Sequence, residues 1–217
     1  MKARIKFSKT GNVKFIGHLD VMRYFQKLIR RAKLDVTYSQ GYHPHQIMSF
    51  TSPLSVGIES VGEYFDIETN SAIDPDYAVK VLNEHTVDDI QVLKYISLPD
   101  DAKKSMALLS AADYLIDIDF DEQTISDFLA QQEIEILKKT KKSEKMVDIK
   151  PMIYKLEKQD DKLFVCLAHG SRANLKPNLV VEALCQFVGK DVPEFLKMTR
   201  IEMYYEKDGK LIPLEEV

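Results

Sequence analysis

Two successive stretches of this chain carry the same order of strand-like and helix-like segments, which restricts the folds open to it. In the first stretch, Asp74 is placed to cap a helix and Pro75 suits the first helical position. Hydrophobic spacing and composition predict the other elements. The elements of this stretch are a strand at 3–7, a helix at 18–33, extended segments at 36–39, 47–50 and 63–68, a helix at 74–85 and a strand at 90–96.

The second stretch repeats that order after a segment with linker-like composition. A strand, helix, strand, strand, helix, strand order is typical of the ferredoxin-like arrangement. The sequence therefore predicts an α+β protein made of two tandem ferredoxin-like halves, residues 1–98 and 111–217, joined by a linker at 99–110. The predicted elements of the second half are strands or extended segments at 112–120, 134–139, 147–156, 162–169 and 199–206, and helices at 122–132 and 177–188.

Positive charge is concentrated at the start of a chain whose net charge is −4. Residues 1–58 contain ten Lys or Arg and two acidic residues, and residues 59–217 contain twenty and thirty-two. Such polarity gives a folded protein one surface that attracts polyanions and another that repels them. This distribution points to a nucleic-acid ligand.

The first predicted helix separates its apolar and basic residues. At 100° per residue its apolar side chains share one arc, while Arg23, Lys27, Arg30 and Arg31 share another. We expect the apolar arc to pack on the core and these four cations to contact phosphates.

A loop with aromatic and imidazole side chains follows this helix, and it includes Tyr42, Pro44 and His45. Aromatic rings stack on unpaired bases of any sequence, so Tyr42 and His45 are candidates for contacts to bases or sugar. The alternative is that the tyrosines pack in the core and the histidines only decorate a turn.

The same region permits two chemical alternatives. His18 and His45 could act as general acid and base in a metal-independent endoribonuclease, with Lys14 or Arg23 stabilising phosphate charge. His18, His43 and His45 could also bind a metal, although no cysteine or close carboxylate completes a ligand set. We expect no metal and no cofactor, and whether the chain is an enzyme stays open.

Two basic segments stand out in the second half. A loop with Gly170, Ser171, Arg172 and Lys176 precedes a predicted helix, and helix N-termini favour anions. A ligand-free capping loop is the alternative. The lysine-rich stretch at 138–145 is either a solvated hairpin tip or a finger that contacts phosphate.

Several function classes lack their sequence signatures. The chain has no phosphate-binding Gly-x-x-x-x-Gly-Lys-Ser/Thr motif, no dinucleotide fingerprint and no Gly-x-Ser-x-Gly elbow. Two cysteines give no disulfide framework, and no signal peptide or membrane-length apolar segment occurs. We expect a cytoplasmic protein with no membrane partner.

Several motifs of the first half resemble the bacterial radical-SAM-linked protein family of unknown function, in its stand-alone form. The resemblance implies an accessory role beside a radical SAM enzyme, without the three-cysteine motif that would hold an iron–sulfur cluster in this chain. Gly17 and His43 depart from the family pattern. The matching motifs are Phe15-Ile16-Gly17-His18-Leu19-Asp20, Arg30-Arg31-Ala32, Tyr38-Ser39-Gln40-Gly41, Pro44-His45, Pro53-Leu54, Val56-Gly57 and Glu63-Tyr64-Phe65-Asp66.

Together these features predict an accessory protein that binds RNA and presents it to a radical SAM enzyme. The alternatives are the endoribonuclease and a protein-interaction module that docks on the radical SAM partner.

Overall fold

The computed structural model of this chain describes residues 1–139 and 144–216. The chain is a mixed α+β protein, as the sequence predicts. The α-helices among these residues are α1 (His18–Arg31), α2 (Pro75–Asn83), α3 (Ser105–Leu108), α4 (Glu122–Ala130) and α5 (Pro177–Phe187). The strands are β1 (Lys2–Lys9), β2 (Met48–Phe50), β3 (Glu59–Glu68), β4 (Ile90–Leu98), β5 (Leu109–Ile116), β6 (Glu135–Lys139), β7 (Glu144–Asp148), β8 (Ile153–Gln159), β9 (Lys162–Ala168), β10 (Met198–Lys207) and β11 (Lys210–Pro213).

One large, mostly antiparallel sheet contains nine of these strands. Its path runs β4-β1-β3-β10-β5-β9-β8, with β2 paired to β3 and β11 paired to β10. Strands β6 and β7 form a separate hairpin. The strands of the first half therefore lie at one end of the sheet and those of the second half at the other.

A short parallel pairing of β3 with β10 joins the two ends of the sheet, with Ser60 opposite Arg200. Gly62 lies two residues further along β3, where any Cβ atom would clash with the carbonyl oxygen of Ile201. The close approach of the two backbones therefore requires glycine at this position.

Each half has its own hydrophobic core. In the first, α1 buries Phe25 against Phe7 of β1, with ring centroids 4.5 Å apart. In the second, Phe128 of α4 and Leu184 of α5 are fully buried in one cluster with the strands. Packing of one helix face against the sheet is the expected source of stability for helices of this length.

Buried ion pairs lie where the two halves meet. Arg4 is fully buried, and its Nε donates to Asp66 Oδ1 at 2.8 Å. Arg200 is also buried, and its Nη1 donates to Glu63 Oε1 at 3.0 Å. A buried charge is tolerated only when it is paired and hydrogen-bonded, so each residue depends on its partner.

The structure confirms the predicted N-terminal ends of helices α2 and α5. Asp74 caps α2, because its Oδ1 accepts from the backbone N–H of Tyr77 at 2.8 Å. Pro177 occupies the first turn of α5. Both assignments follow from local chemistry that the sequence displays directly.

Two predicted strands are wrong. Residues 36–39 make only isolated bridges, and the predicted strand at 147–156 is interrupted by a 3-10 turn at Lys150–Met152. Pro151 lies in this turn and has no N–H for a ladder. Asp148 stabilises the turn, since its Oδ1 accepts from the backbone N–H of Ile134 and of Lys150.

The predicted linker at 99–110 contains α3 and the start of β5. Ser105 of α3 is fully buried, and its backbone N–H donates to Asp66. Its hydroxyl accepts from Thr51 at 2.6 Å. The segment between the halves is therefore hydrogen-bonded to the first half.

No helix among the described residues has the length and apolar character needed to cross a membrane.

Candidate nucleic-acid interface

The basic face of α1 is exposed along its whole length. Arg23, Lys27, Arg30 and Arg31 are all exposed, while the opposite face is buried in the first core. Arg23 contacts Asp20 at 3.3 Å, and both side chains are mostly exposed. A surface pair of this kind contributes little free energy, so Arg23 stays available to a phosphate.

The loop after α1 presents its tyrosine to solvent. Tyr42 is fully exposed. It follows Gly41, whose φ of +118° is a conformation that side chains other than glycine rarely adopt. His45 is exposed, and its Nδ1 lies 2.8 Å from Ser39 Oγ. Ser39 and His45 therefore anchor a loop whose tip carries an unpacked aromatic ring.

The loop and the basic helix face meet at the backbone carbonyl of Gln26. This oxygen accepts from Arg30 Nε at 3.2 Å and from Gln46 Nε2 at 3.3 Å. Gln46 is buried and follows His45 directly. The contact joins α1 near Arg30 to Gln46, the residue that directly follows His45.

The cations of β1 and the residue Lys14 after it lie elsewhere, and several of them form ion pairs. Lys6 contacts Glu202 at 2.6 Å and Glu215 at 2.7 Å. Burial lowers the pKa of Lys6, but the two carboxylates more than offset this, so the pKa is raised. Lys14 contacts Glu59 at 3.0 Å. The charge excess of residues 1–58 is therefore partly neutralised, and its exposed remainder is concentrated on α1.

The two histidines of the ribonuclease hypothesis contact different groups. His18 packs edge-on against Phe50 at a centroid distance of 5.5 Å, and burial, followed by nearby Lys9, lowers its pKa. His45 interacts instead with Ser39. No contact among residues 1–139 and 144–216 brings the two imidazoles together.

The loop predicted to bind anions lies on a cleft of about 360 Å³. Gly170, Ser171 and Arg172 line this cleft together with Lys103 and Glu206. Lys176 does not line it but occupies the N-cap position of α5. A Cβ at position 170 would clash with the Leu109 carbonyl oxygen, so glycine is required there for backbone approach.

The structure describes only part of the lysine-rich stretch at 138–145. Residues 140–143 lie outside the described residues, and strands β6 and β7 flank them. Lys145 of β7 is exposed.

Sequence reasoning missed the hydrogen-bonded contacts between the two halves. Ser52 and His169 are separated by 117 residues, yet Ser52 Oγ lies 2.8 Å from His169 Nε2. His169 Nδ1 lies 3.2 Å from Asn174 Oδ1. No local spacing pattern reports a contact across such a separation. The available signal was a histidine directly after an apolar strand, β9.

Residues 2–177 match the model of a family described as an uncharacterized protein conserved in bacteria, DUF2344. The chain belongs to this family. The match confirms the expected bacterial family of unknown function, and the link to a radical SAM enzyme stays a prediction.

Members of this DUF2344 family carry no assigned activity in that description, and no curated protein matches the chain. Among solved structures, one similar chain belongs to a crystal structure of a Cbf5-Nop10-Gar1 complex. The TM-score is 0.45 and the identity is 12%, over 95% of this chain and 50% of the other. This chain thus spans half the length of that matched chain.

Proposed function

We propose that this chain binds RNA through the basic face of α1 and the adjoining Tyr42–His45 loop and presents it to a partner enzyme. The observation that carries the proposal is the shared Gln26 carbonyl, which accepts from both Arg30 and Gln46. The contact supports the proposal because it links the helix that carries four exposed cations to the segment that follows the exposed Tyr42. Cationic grooves with aromatic platforms are the usual means of binding single-stranded nucleic acid.

The two parts of the surface have different roles in this proposal. Arg23, Lys27, Arg30 and Arg31 contact phosphates and supply affinity that falls with salt. Tyr42 stacks on an unpaired base, and His45 contacts a base or sugar. Tyr42 has no intramolecular packing to lose, which supports its role as a stacking platform.

A second anion contact is proposed at the cleft of the other half, through Gly170, Ser171, Arg172 and Lys176. The exposed guanidinium of Arg172 and the nearby ammonium of Lys103 support it. Glu206 on the same cleft opposes binding of a highly charged group, so this site would contribute less than α1.

Docking on a radical SAM enzyme is a second candidate function, favoured by an exposed apolar surface. Phe15, Leu19 and Val56 are 62%, 63% and 59% exposed. The backbone N–H of Gly57 donates to the Lys14 carbonyl, which brings Val56 near Phe15. Exposed apolar side chains that lie together are typical of interaction sites. Co-purification with the enzyme should survive ribonuclease treatment and be weakened by Phe15→Ser.

We also propose that the sheet is built from two ferredoxin-like units, residues 1–98 and 111–217, joined at 99–110. Two strand orders support this: β4-β1-β3-β2 at one end and β10-β5-β9-β8 at the other. Each corresponds to the fourth, first, third and second strand of its unit, once the β6–β7 hairpin is treated as an insertion.

Fluorescence anisotropy with a labelled single-stranded RNA tests the binding proposal. We expect Tyr42→Ala to weaken binding by about 1–3 kcal/mol, the typical loss per stacked base. Tyr77→Ala is the matched control, because Tyr77 is also exposed but lies on α2. Equal binding by both variants and the wild-type chain would refute the stacking role.

The same RNA, incubated with the protein in EDTA and analysed on a gel, tests the ribonuclease alternative. Retention without cleavage supports the binding proposal. Specific cleavage that disappears in both His18→Ala and His45→Ala would replace it with the enzymatic function.

A further inference from the structure

The cleft of about 360 Å³ lies between the segment that joins the two halves and the sheet of the second half. Lys103 comes from the joining segment, and Arg172 comes from the loop that precedes α5. Tyr154 of β8 and Glu206 of β10 line the cleft as well. Ligand pockets start at about 300 Å³ and occur preferentially where domains meet. The cleft therefore has room for an organic ligand and not only for water.

Three charged side chains line this cleft without an ion pair to any residue in 1–139 or 144–216: Lys103, Arg172 and Glu206. All three are exposed. Lys6 of β1 shows the contrast, because it contacts Glu202 at 2.6 Å. Two unpaired cations attract an anion, and an unpaired carboxylate accepts hydrogen bonds. The cleft thus suits a ligand that carries one anionic group and a separate hydrogen-bond donor.

The loop that carries Arg172 is fixed in the structure without a ligand. The backbone N–H of His169 donates to the Ser110 carbonyl at 2.9 Å. The buried imidazole adds two contacts, because Nε2 lies 2.8 Å from Ser52 Oγ and Nδ1 lies 3.2 Å from Asn174 Oδ1. A loop that is already ordered loses little conformational entropy on binding. His169 is therefore a positioning residue for the loop at 170–173.

The backbone of Lys103 is fixed from the first half. Its carbonyl oxygen accepts from Arg4 Nη2 at 3.4 Å, and Arg4 is fully buried. Ser105 follows two residues later and is fully buried too. Both cations of the cleft therefore extend from backbone that the fold itself anchors.

The remaining wall combines an aromatic ring with a carboxylate. Tyr154 is 50% exposed. Burial, followed by the nearby negative charge of Glu206, raises the pKa of Tyr154, so the neutral phenol lies close to the carboxylate. A half-exposed aromatic ring can stack on a base of any sequence. The sugar of a nucleotide lies between base and phosphate, so a carboxylate beside the stacking ring meets a sugar hydroxyl whatever the base.

We propose that this cleft binds one ribonucleotide of a single-stranded RNA and distinguishes it from a deoxyribonucleotide. Lys103 and Arg172 contact the phosphodiester, whose one negative charge suits two cations and a carboxylate. The base stacks on Tyr154, and Glu206 accepts from the ribose 2′-hydroxyl, the group that distinguishes RNA from DNA. The inference rests on the proposed RNA-binding function and names the ligand of its second contact.

NMR titration of the full chain with the dinucleotide adenylyl-adenosine and with its 2′-deoxy counterpart tests the proposal. We expect the ribose form to shift the backbone amide signals of Gly170 and Ser171. It should bind there about 10-fold more tightly than the deoxy form, the effect of one hydrogen bond to a charged group. The comparison uses the wild-type chain and needs no variant.

Two variants assign the roles of the side chains. Glu206→Ala should abolish the preference for ribose, whereas Glu194→Ala, at an exposed glutamate away from the cleft, should keep it. Arg172→Ala should weaken both dinucleotides by about 10-fold. Equal affinity of the wild-type chain for the two dinucleotides, or a preference that persists in Glu206→Ala, would overturn the proposal.

The amide signal of Gly41, beside Tyr42, separates this proposal from the binding surface on α1. Shifts at Gly41 without shifts at Gly170 would leave RNA binding by α1 intact and overturn the ribonucleotide cleft. Shifts at Gly170 without shifts at Gly41 would support the cleft and contradict the stacking role of Tyr42.

Discussion

At the scale of single residues, the side chains that depend most on their partners are charged groups buried near the junction of the two halves. Arg4, Arg200 and Glu63 are almost completely buried, and each is paired with the opposite charge. Burial raises the pKa of Glu63, and Arg200 opposes that rise. Such groups cost free energy when isolated, so their partners are not interchangeable with neutral residues.

Breaking the Arg200–Glu63 pair on one side should destabilise the fold strongly. We expect Glu63→Leu to lower the free energy of unfolding by about 3–5 kcal/mol, because Arg200 is left buried without a partner. Urea denaturation measures the loss, and the double variant Glu63→Leu/Arg200→Met should recover much of it. Asp20→Asn, at a surface pair, should cost less than about 1 kcal/mol. Equal effects at the two sites would contradict this account.

His169 should make the protein sensitive to acid. The unfolded imidazole titrates near its ordinary pKa of 6.5, whereas burial holds the folded one at about 4. Protons therefore bind the unfolded chain first, and stability is lost as pH falls from about 6.5 to about 4, by about 3 kcal/mol in all.

Urea denaturation between neutral pH and pH 4 measures this loss in the wild-type chain and in His169→Gln. The other acidic and basic groups are common to both proteins, so the difference between the two curves reports His169. If the free energy of unfolding falls equally with pH in both proteins, His169 is not the cause of the acid sensitivity.

At the scale of elements, α1 connects the core to the proposed ligand surface. One face buries Phe25, Leu28 and Ile29, and the other exposes the four cations. The helical period of the sequence predicts both faces, because a 100° rotation per residue separates them without reference to the rest of the fold. The exposure of Tyr42 was one of two open alternatives, since loop packing depends on contacts distant in sequence.

The cap of α2 supplies an element-scale prediction. Asp74→Ala should lower the free energy of unfolding by about 1 kcal/mol, because the Tyr77 N–H loses its acceptor. Asp76→Ala, in the first turn of the same helix, removes a charge but no cap and should cost only a few tenths of a kcal/mol. Urea denaturation measures both variants. A cost for Asp76→Ala that equals or exceeds that of Asp74→Ala would refute the capping role.

The sequence predicts the features that depend on local chemistry, and it does not predict the contacts between distant parts of the chain. Helix starts at Asp74 and Pro177 follow from caps and from proline's fixed φ, so they are visible in the sequence. The β3–β10 pairing and the contact of Ser52 with His169 join residues more than a hundred positions apart. Long-range pairing leaves no periodic signature in a single sequence, so these contacts were not predicted.

At the scale of the whole molecule, folding redistributes the charge asymmetry. Two cations of β1 pair with carboxylates from distant parts of the chain: Arg4 with Asp66, and Lys6 with Glu202 and Glu215. The net positive charge counted over residues 1–58 is therefore larger than the unpaired positive charge that a ligand would meet. The exposed cations of α1 remain, and one of them, Arg30, shares the Gln26 carbonyl with Gln46, which follows the loop of Tyr42.

The salt dependence of RNA binding tests this central claim most directly. Removing one cation that contacts a phosphate reduces the slope of log K against log salt by about 0.7 for a single strand. Arg23→Ala/Lys27→Ala/Arg30→Ala/Arg31→Ala should therefore reduce the slope by about 3. A variant with alanine at four exposed lysines of the other half, Lys190, Lys197, Lys207 and Lys210, should keep the wild-type slope. The account is contradicted if both quadruple variants change the slope equally, or if the α1 variant leaves it unchanged.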